Sequence, residues 1–426
     1  MFGIPDNICI WIITGLTATL FVVGTPIFLC IAFWSVMASI VLDFTLSNIG
    51  STAYTGLSSY ALLAMPLFIL TGDLIGAGGI AAKLANLFTK ITAPLRGGLA
   101  LASIFTCSSF AAISGSNSAT VATIGKIMIP ELKKQGYHPE FAATSVASGG
   151  IVGILIPPSI LMIVYGFTVN VSVLDLFKGG IFPGLLVSCA LALATYYWSR
   201  KFGWGTPERF SGGAVVRGVW DAKLGLGAVF IILYIIYGGI SSPTEAAAIA
   251  AVYCLLAGTL LARQIKLKDI PGIFLSSGRV NGLLAPVIAI SIVLQQVFSV
   301  LGVQAAVADF VLSFGSTVLI LLAMMFMITL FGSIMESISV CIVLAPILAP
   351  IAGQLGFDPV HFGLIFIVGL SLGFITPPFG LDLFVASGIT GIPYGDLIKW
   401  LPPFLICILI AWLIIAFVPG ITLFFQ

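Results

Sequence analysis

Six prolines of this chain recur at one fixed distance. Shifting the sequence by 220 residues lays Pro66 on Pro286, Pro130 on Pro350, Pro139 on Pro359, Pro157 on Pro377, Pro158 on Pro378 and Pro183 on Pro403. The same shift lays Gly136, Gly149 and Gly153 on Gly356, Gly369 and Gly373. With 22 prolines in 426 residues, chance would supply about half a coincidence, so the chain is an internal duplication. Residues 1–220 form the first unit and 221–426 the second.

Each unit is built of apolar runs. Runs long enough to cross a bilayer fall near 8–23, 26–42, 58–78, 141–166 and 179–198, then near 224–240, 244–262, 280–300, 361–386 and 400–420. The chain is 60% hydrophobic and 8% charged, against roughly 25% charged in a soluble domain. It reads as an all-α polytopic membrane protein in contact with the lipid bilayer. Its formal net charge of +2 and lack of a basic arm give no reason to expect a nucleic-acid partner. The seven cysteines stand singly in apolar runs, and His138 and His361 stand alone. Neither a disulfide framework nor a transition-metal site is supported. No Ser/His/Asp constellation and no phosphate-binding GxxxxGK[ST] loop occurs, so no enzyme and no ATP-driven pump is expected. The opening MFGIPDNICIW lacks the basic start of a signal peptide, and the first run reads as a retained span.

Two further stretches, 98–130 and 317–350, are apolar but rich in Gly, Ser and Pro at their middles. Each follows a short, weakly amphipathic segment, Ile80–Thr92 and Val303–Phe314. Polar tips at bilayer depth must be shielded from lipid, so both stretches read as re-entrant hairpins. Lys and Arg cluster at 83–96, 126–134, 200–223 and 263–279, with Lys399 near the end. Placing those segments in the cytoplasm puts the loops near 43–57, 166–176, 240–243, 301–316 and 351–360 outside, with Lys178 the one exposed exception. Both termini then lie on the outer face. Five spans and a hairpin per unit is an odd count, so the second unit is expected upside down relative to the first: an inverted-topology repeat of the kind transporters use.

The recurring GGIVGILIPP (149–158) and GLSLGFITPP (369–378) sit within spans. Paired prolines remove helical N–H groups and clash with the preceding turn. The helix breaks, and its freed carbonyls need partners in a dry interior. Packing kinks are one use for such breaks. A hard cation taking oxygen ligands is another, and the freed helix N-terminus suits an anion. Opposite the first break stand Ser114, Gly115, Ser116 and Asn117; opposite the second stand Gly332, Ser333 and Glu336. The sodium candidates are Ser114, Gly115, Asn117, Gly149, Gly150, Gly153 and Pro157 in the first unit. In the second they are Gly332, Ser333, Gly373, Thr376, Pro377 and Phe379. Na+ is the one metal and the one cofactor expected. The substrate candidates are Ser116, Asn117, Pro158, Glu336 and Pro378. Among the acids, Glu336 reads as the intramembrane carboxylate, whereas Asp73 and Asp382 read as helix-end groups reaching for the interface. Glu245, in SSPTEAAAIAAVY (241–253), reads as a helix-start acid complementing the dipole.

SGSNSATVATIG (114–125), GGIVGILIPPS, SSPTEAAAIAAVY and GFITPPFGLDLFV (373–385), with the duplicated organisation, resemble the large membrane subunit of tripartite ATP-independent periplasmic (TRAP) transporters, the DctM or SiaM-like family. The resemblance spans essentially the whole chain. It implies a sodium-driven secondary transporter in a bacterial inner membrane that imports organic acids such as C4-dicarboxylates or sialic acid. It implies two partners, a small four-helix membrane subunit and a periplasmic substrate-binding protein. It also implies an elevator, with 98–166 and 317–386 moving against a scaffold made of the other spans. A stand-alone sodium/carboxylate symporter shares these features without needing a binding protein, and an ion channel is the remaining alternative.

Overall fold

The computed structural model describes residues 6–42 and 46–425, and every described regular element is helical. The first unit runs α1 (Asp6–Val22), α2 (Ile27–Val41), α3 (Leu46–Leu57), α4 (Ala64–Ala77), α5 (Ile80–Thr92), α6 (Gly98–Ser114), α7 (Asn117–Lys134), α8 (Pro139–Gly150), α9 (Ile160–Val169) and α10 (Val173–Phe202). The second runs α11 (Gly212–Tyr237), α12 (Pro243–Leu256), α13 (Ile270–Val300), α14 (Val303–Leu312), α15 (Thr317–Ile334), α16 (Ser337–Gln354), α17 (Pro359–Gly373), α18 (Leu381–Thr390), α19 (Tyr394–Ile398), α20 (Pro402–Phe417) and α21 (Gly420–Leu423). Among the described residues, seven helical stretches are long and apolar enough to cross a bilayer. The expected outward placement of both termini falls in part on residues 1–5 and 426, outside the described residues.

The 220-residue offset reappears as matched local structure. Helices α7 and α16 have boundaries exactly one repeat apart, and their N-cap residues are Ser116 and Glu336. Pro139 and Pro359 each open a helix at its first position, where a missing N–H costs nothing. The Pro157–Pro158 and Pro377–Pro378 peptide bonds are both cis. The Ser371 hydroxyl donates to the Ile151 carbonyl at 2.5 Å, and these positions are themselves 220 apart.

The two long stretches form helical hairpins, α6–α7 and α15–α16, with two-residue tips at Gly115–Ser116 and Met335–Glu336. The breaks are also present. Helix α8 gives way to a 3-10 turn at Ile151–Ile154 before α9, and α17 ends at Gly373, seven residues before α18. Helices α10 and α20 pack on each other and on α17, with α10 also against α6. Helix α10 thus contacts the first hairpin, and both contact the second broken helix, although the sequence groups them with the scaffold. Trp412 on α20 donates its indole N–H to the Ile365 carbonyl at 2.8 Å, which fixes α20 to α17. At the basic end of α10, Trp198, Phe202, Trp204, Phe141 and Trp400 pack ring on ring, with Phe202–Trp204 centroids 4.8 Å apart and Phe141–Trp204 4.9 Å apart. Lys201 lies over the Trp198 ring, as aromatic and cationic groups do at a membrane interface.

One segment departs from the sequence reading. Residues 46–57, expected within an outer loop, form helix α3, which packs on α13. Thr52 donates to the Gln296 side-chain oxygen at 3.0 Å. The α3 sequence LSNIGSTAYTGL has too few apolar residues to span a bilayer alone, but a helix lying against another needs only one sticky face.

Glu245 behaves as expected from its position. It closes a capping box with Ser242: the Ser242 N–H donates to its carboxylate at 2.9 Å, and its own N–H donates to Ser242 Oγ at 3.3 Å. Glu245→Gln retains both capping interactions, so transport should be unchanged with at most a slight loss of thermal stability. Uptake and melting curves of the purified variant check this.

Candidate functional site

Both hairpin tips and both helix breaks converge on one cavity of about 470 Å³. Its walls are α4 (Ile69, Gly72, Asp73), the first tip (Ser114 to Ser118), α13 (Val280, Leu284) and the start of α16 (Glu336 to Ile338), with Ile154 and Phe374 from the two breaks. Among the described lining residues the charged ones are Asp73 and Glu336, both acidic. Of the substrate candidates, Ser116, Asn117 and Glu336 line it; Pro158 and Pro378 do not.

The first tip and first break touch backbone to backbone. A Cβ on Gly153 would lie 2.7 Å from the Ser116 carbonyl oxygen and 2.8 Å from Asn117 N. A Cβ on Gly115, whose φ is +59°, would lie 2.8 Å from the Pro158 carbonyl oxygen. Glycine is required at both places, because no side chain fits between the strands of backbone. Ser114 is buried, and its Oγ is 2.9 Å from Thr120 Oγ1, whose hydroxyl donates to the Ser116 carbonyl at 2.7 Å. Asn117 is 2% exposed, yet neither its amide N–H groups nor its amide oxygen has a partner. Gly150 sits beside the Asn117 carbonyl, while Gly149 faces Cys107 and Ile104 on α6 instead of the tip. Pro157 is buried.

The second tip repeats the contact with different side chains. A Cβ on Gly373 would lie 2.5 Å from the Gly332 carbonyl carbon and 2.8 Å from its oxygen. Ser333 is buried, and its hydroxyl donates to the Leu330 carbonyl at 2.8 Å. The Thr376 hydroxyl donates to the Leu372 carbonyl at 2.7 Å, so its lone pairs stay free for a cation. Pro378 and Phe379 are exposed, with the Phe379 ring edge-on to Phe21 of α1. The first proline pair is buried and the second is open.

The sequence reading missed three participants. Ser159 closes the first break: its hydroxyl donates to the Ile154 carbonyl at 2.7 Å and accepts the Met162 N–H at 3.3 Å. Asp73 does not reach for an interface. It lines the cavity and accepts the Ser277 hydroxyl at 2.7 Å, joining α4 to α13. Asp382 is fully buried between α7, α8 and α18. Glu336 differs in its chemistry: its carboxylate caps α16, accepting the N–H groups of Ile338 at 2.9 Å and Ser339 at 3.2 Å and the Ser337 hydroxyl at 3.1 Å. The α16 N-terminus thus carries its own anion, while the α7 N-terminus, capped by neutral Ser116, is open to an incoming one.

Paired hairpins and paired breaks around one cavity are the architecture of a carrier, and the sequence comparison decides which. The profile of the family described as "Tripartite ATP-independent periplasmic transporter, DctM component" matches residues 13–421. The chain belongs to that family. It is 37% identical over 419 residues to the isethionate TRAP transporter permease protein DctMQ of Oleidesulfovibrio alaskensis, covering 97% of this chain and 66% of that one. It is 33% identical over 436 residues to the C4-dicarboxylate TRAP transporter large permease protein DctM of Rhodobacter capsulatus, covering 97% of each. The chain thus spans just under two thirds of the isethionate relative and nearly all of the C4-dicarboxylate one. In fold it is similar to the crystal structure of the Alcanivorax borkumensis YdaH transporter, with a TM-score of 0.61 at 15% identity over 89% of both chains. Membership in the DctM family makes this a multi-pass transporter permease, and the fold is that of a membrane carrier.

Proposed function

We propose that this permease imports a small organic acid across a bacterial inner membrane on the sodium gradient, receiving it from a periplasmic binding protein and working with a small four-helix subunit. The observation that carries the reading is the Asn117 amide, buried and unpartnered on the residue whose backbone meets the first break at Gly150 and Gly153. Buried amides without partners cost about 1–3 kcal/mol each, and an ion that accepts the amide oxygen and nearby carbonyls removes part of that cost. Ser114, Asn117 and the Gly150–Gly153 backbone form the first site. The second uses Gly332, Ser333, Gly373 and Thr376. The acidic cavity supports the order of events, since an anion entering against Asp73 and Glu336 needs cations bound first.

The substrate class follows from the open α7 N-terminus, which suits a carboxylate or a similar anionic group. Isethionate and C4-dicarboxylates, the substrates in the names of the two relatives, are small anions of this kind, and sialic acid belongs to the same class. The internal duplication, read as an inverted repeat, supports an elevator in which the hairpins, the breaks and the helices packed on them, α10 and α20, move past α4 and α13. Gly72 on α4 lies against Ser114, where a Cβ would be 3.2 Å from the Ser114 Cα, a smooth contact for such a slide. The stand-alone symporter is the second reading, and a family described as a component of a tripartite system favours the partnered one.

The test is thermal stability of the purified protein in sodium, potassium and choline salts at equal ionic strength. A ligand bound by the folded state alone raises the melting temperature with its concentration. Saturable stabilisation by Na+ alone is expected, weakened in Asn117→Ala and Thr376→Ala. Equal melting temperatures in the three salts would remove sodium from the mechanism. Uptake by this chain alone in liposomes would favour the stand-alone symporter.

A further inference from the structure

Asp382, read from the sequence as a helix-end group, lies inside the protein instead. It is fully buried, and it belongs to α18, the second unit's broken helix, but packs against α7 and α8 of the first unit. One carboxylate oxygen is 3.5 Å from the Ser118 hydroxyl, at the limit of a hydrogen bond, and the other has no partner. Among the described residues no Lys or Arg side chain is buried, and the two ion pairs lie at the surface. A carboxylate in such surroundings has no protein countercharge, and an uncompensated buried charge is strongly unfavourable.

A first-unit oxygen lies close to it. A Cβ on Gly150 would stand 3.4 Å from both the unpartnered Asp382 oxygen and the Asn117 backbone carbonyl. The same Cβ would run into Val121 Cγ2, so glycine is what lets α7 close on α8 and brings the Asn117 backbone carbonyl and the Asp382 carboxylate to one corner; the side-chain amide of Asn117 is likewise unpartnered. No group of three or more His, Cys, Asp or Glu is found among the described residues, so a divalent or transition metal lacks its usual donor set. One carboxylate with neutral oxygens balances one monovalent charge.

We propose that Asp382 is the anionic ligand of the first-unit cation site, donated across the repeat from α18, and that a monovalent cation held there ties α18 to α7. The proposal rests on the sodium-coupled reading above and adds to it a charge asymmetry. The first-unit site becomes neutral when loaded, whereas the second, made of hydroxyls and carbonyls, becomes positive. Ser118, which touches Asp382 and lines the substrate cavity, places this pairing next to the incoming anion.

The experiment is a sodium titration of thermal stability on the purified full chain, with choline chloride holding ionic strength constant, for wild type and Asp382→Asn. The variant is isosteric and removes the charge alone. The expected result is at least a tenfold rise in the sodium concentration giving half-maximal stabilisation, with sodium-free stability equal to or above that of wild type. Gly150→Ala provides a second route, because its methyl group would run into Val121 Cγ2 and push α7, with the Asn117 carbonyl, away from Asp382 while leaving the charge in place; it should also raise the sodium requirement. Wild-type sodium dependence in Asp382→Asn would overturn the assignment while leaving sodium coupling intact. A wild-type protein indifferent to sodium would overturn both, and would leave Asp382 buried as a neutral acid.

Discussion

Alanine at Gly373 is expected to lower transport at least tenfold and to lower the melting temperature of the permease. The added methyl group would stand 2.5 Å from the Gly332 carbonyl carbon and 2.9 Å from its Cα. Both are backbone atoms, so no side chain can rotate away, and the second hairpin must back off from the second break. Overpacking of this kind costs about 1–3 kcal/mol, and it displaces the carbonyls on which the second cation site depends. Gly153→Ala should act alike on the first unit, against Ser116 and Asn117. Gly388→Ala is the control. It makes the same chemical change inside α18, where nothing lies within 4 Å, and should raise helix stability by about 0.5–1 kcal/mol without loss of uptake. Transport in proteoliposomes with the partner proteins, alongside melting curves, reads both quantities. Wild-type uptake by Gly373→Ala would mean that tip and break need not touch during the cycle.

These glycines and the proline pairs were legible before any coordinates because they act on the backbone. Two adjacent prolines end helical hydrogen bonding where single ones such as Pro130 and Pro183 are carried inside helices, and Gly153 and Gly373 stand where two stretches of backbone touch. The offset of Ser116 and Glu336 carried through to matching N-caps for the same reason: a cap is set by local geometry, not by distant partners. The hairpins could be seen because a polar tip within an apolar run has few other places to go.

What stayed hidden depended on depth. Asp382 follows a break of seven residues that leaves the helical register, so counting along the run from 361 places it near a span end. The break turns the chain back inside the protein, and the acid lies among α7, α8 and α18. Asp73 was misplaced in the same way, since its partner Ser277 lies 204 residues along the chain. Helix α3 was passed over because its serines and threonines hide a spaced apolar series, Leu46, Ile49, Ala53 and Leu57. That periodicity could have been found; the placement of the two aspartates could not, because it is fixed by contacts between the two halves.

The second large effect concerns Asn117, and its sign separates a ligand from a packing residue. Asn117→Leu should raise the melting temperature in sodium-free choline buffer, abolish its rise with sodium, and abolish transport. A polar side chain that stabilises a fold does so through its hydrogen bonds, and removing it destabilises. The Asn117 amide makes none with the protein, so its burial is a net cost of about 1–3 kcal/mol for each unmade bond. Leucine has nearly the same shape and no such cost. If Asn117 served interhelical packing, the substitution would lower stability in both buffers and leave the sodium shift in place. The ion-free stability is thus given up at the position where the ion restores it, which is the condition for a cation to control when the first tip and the first break close on the substrate.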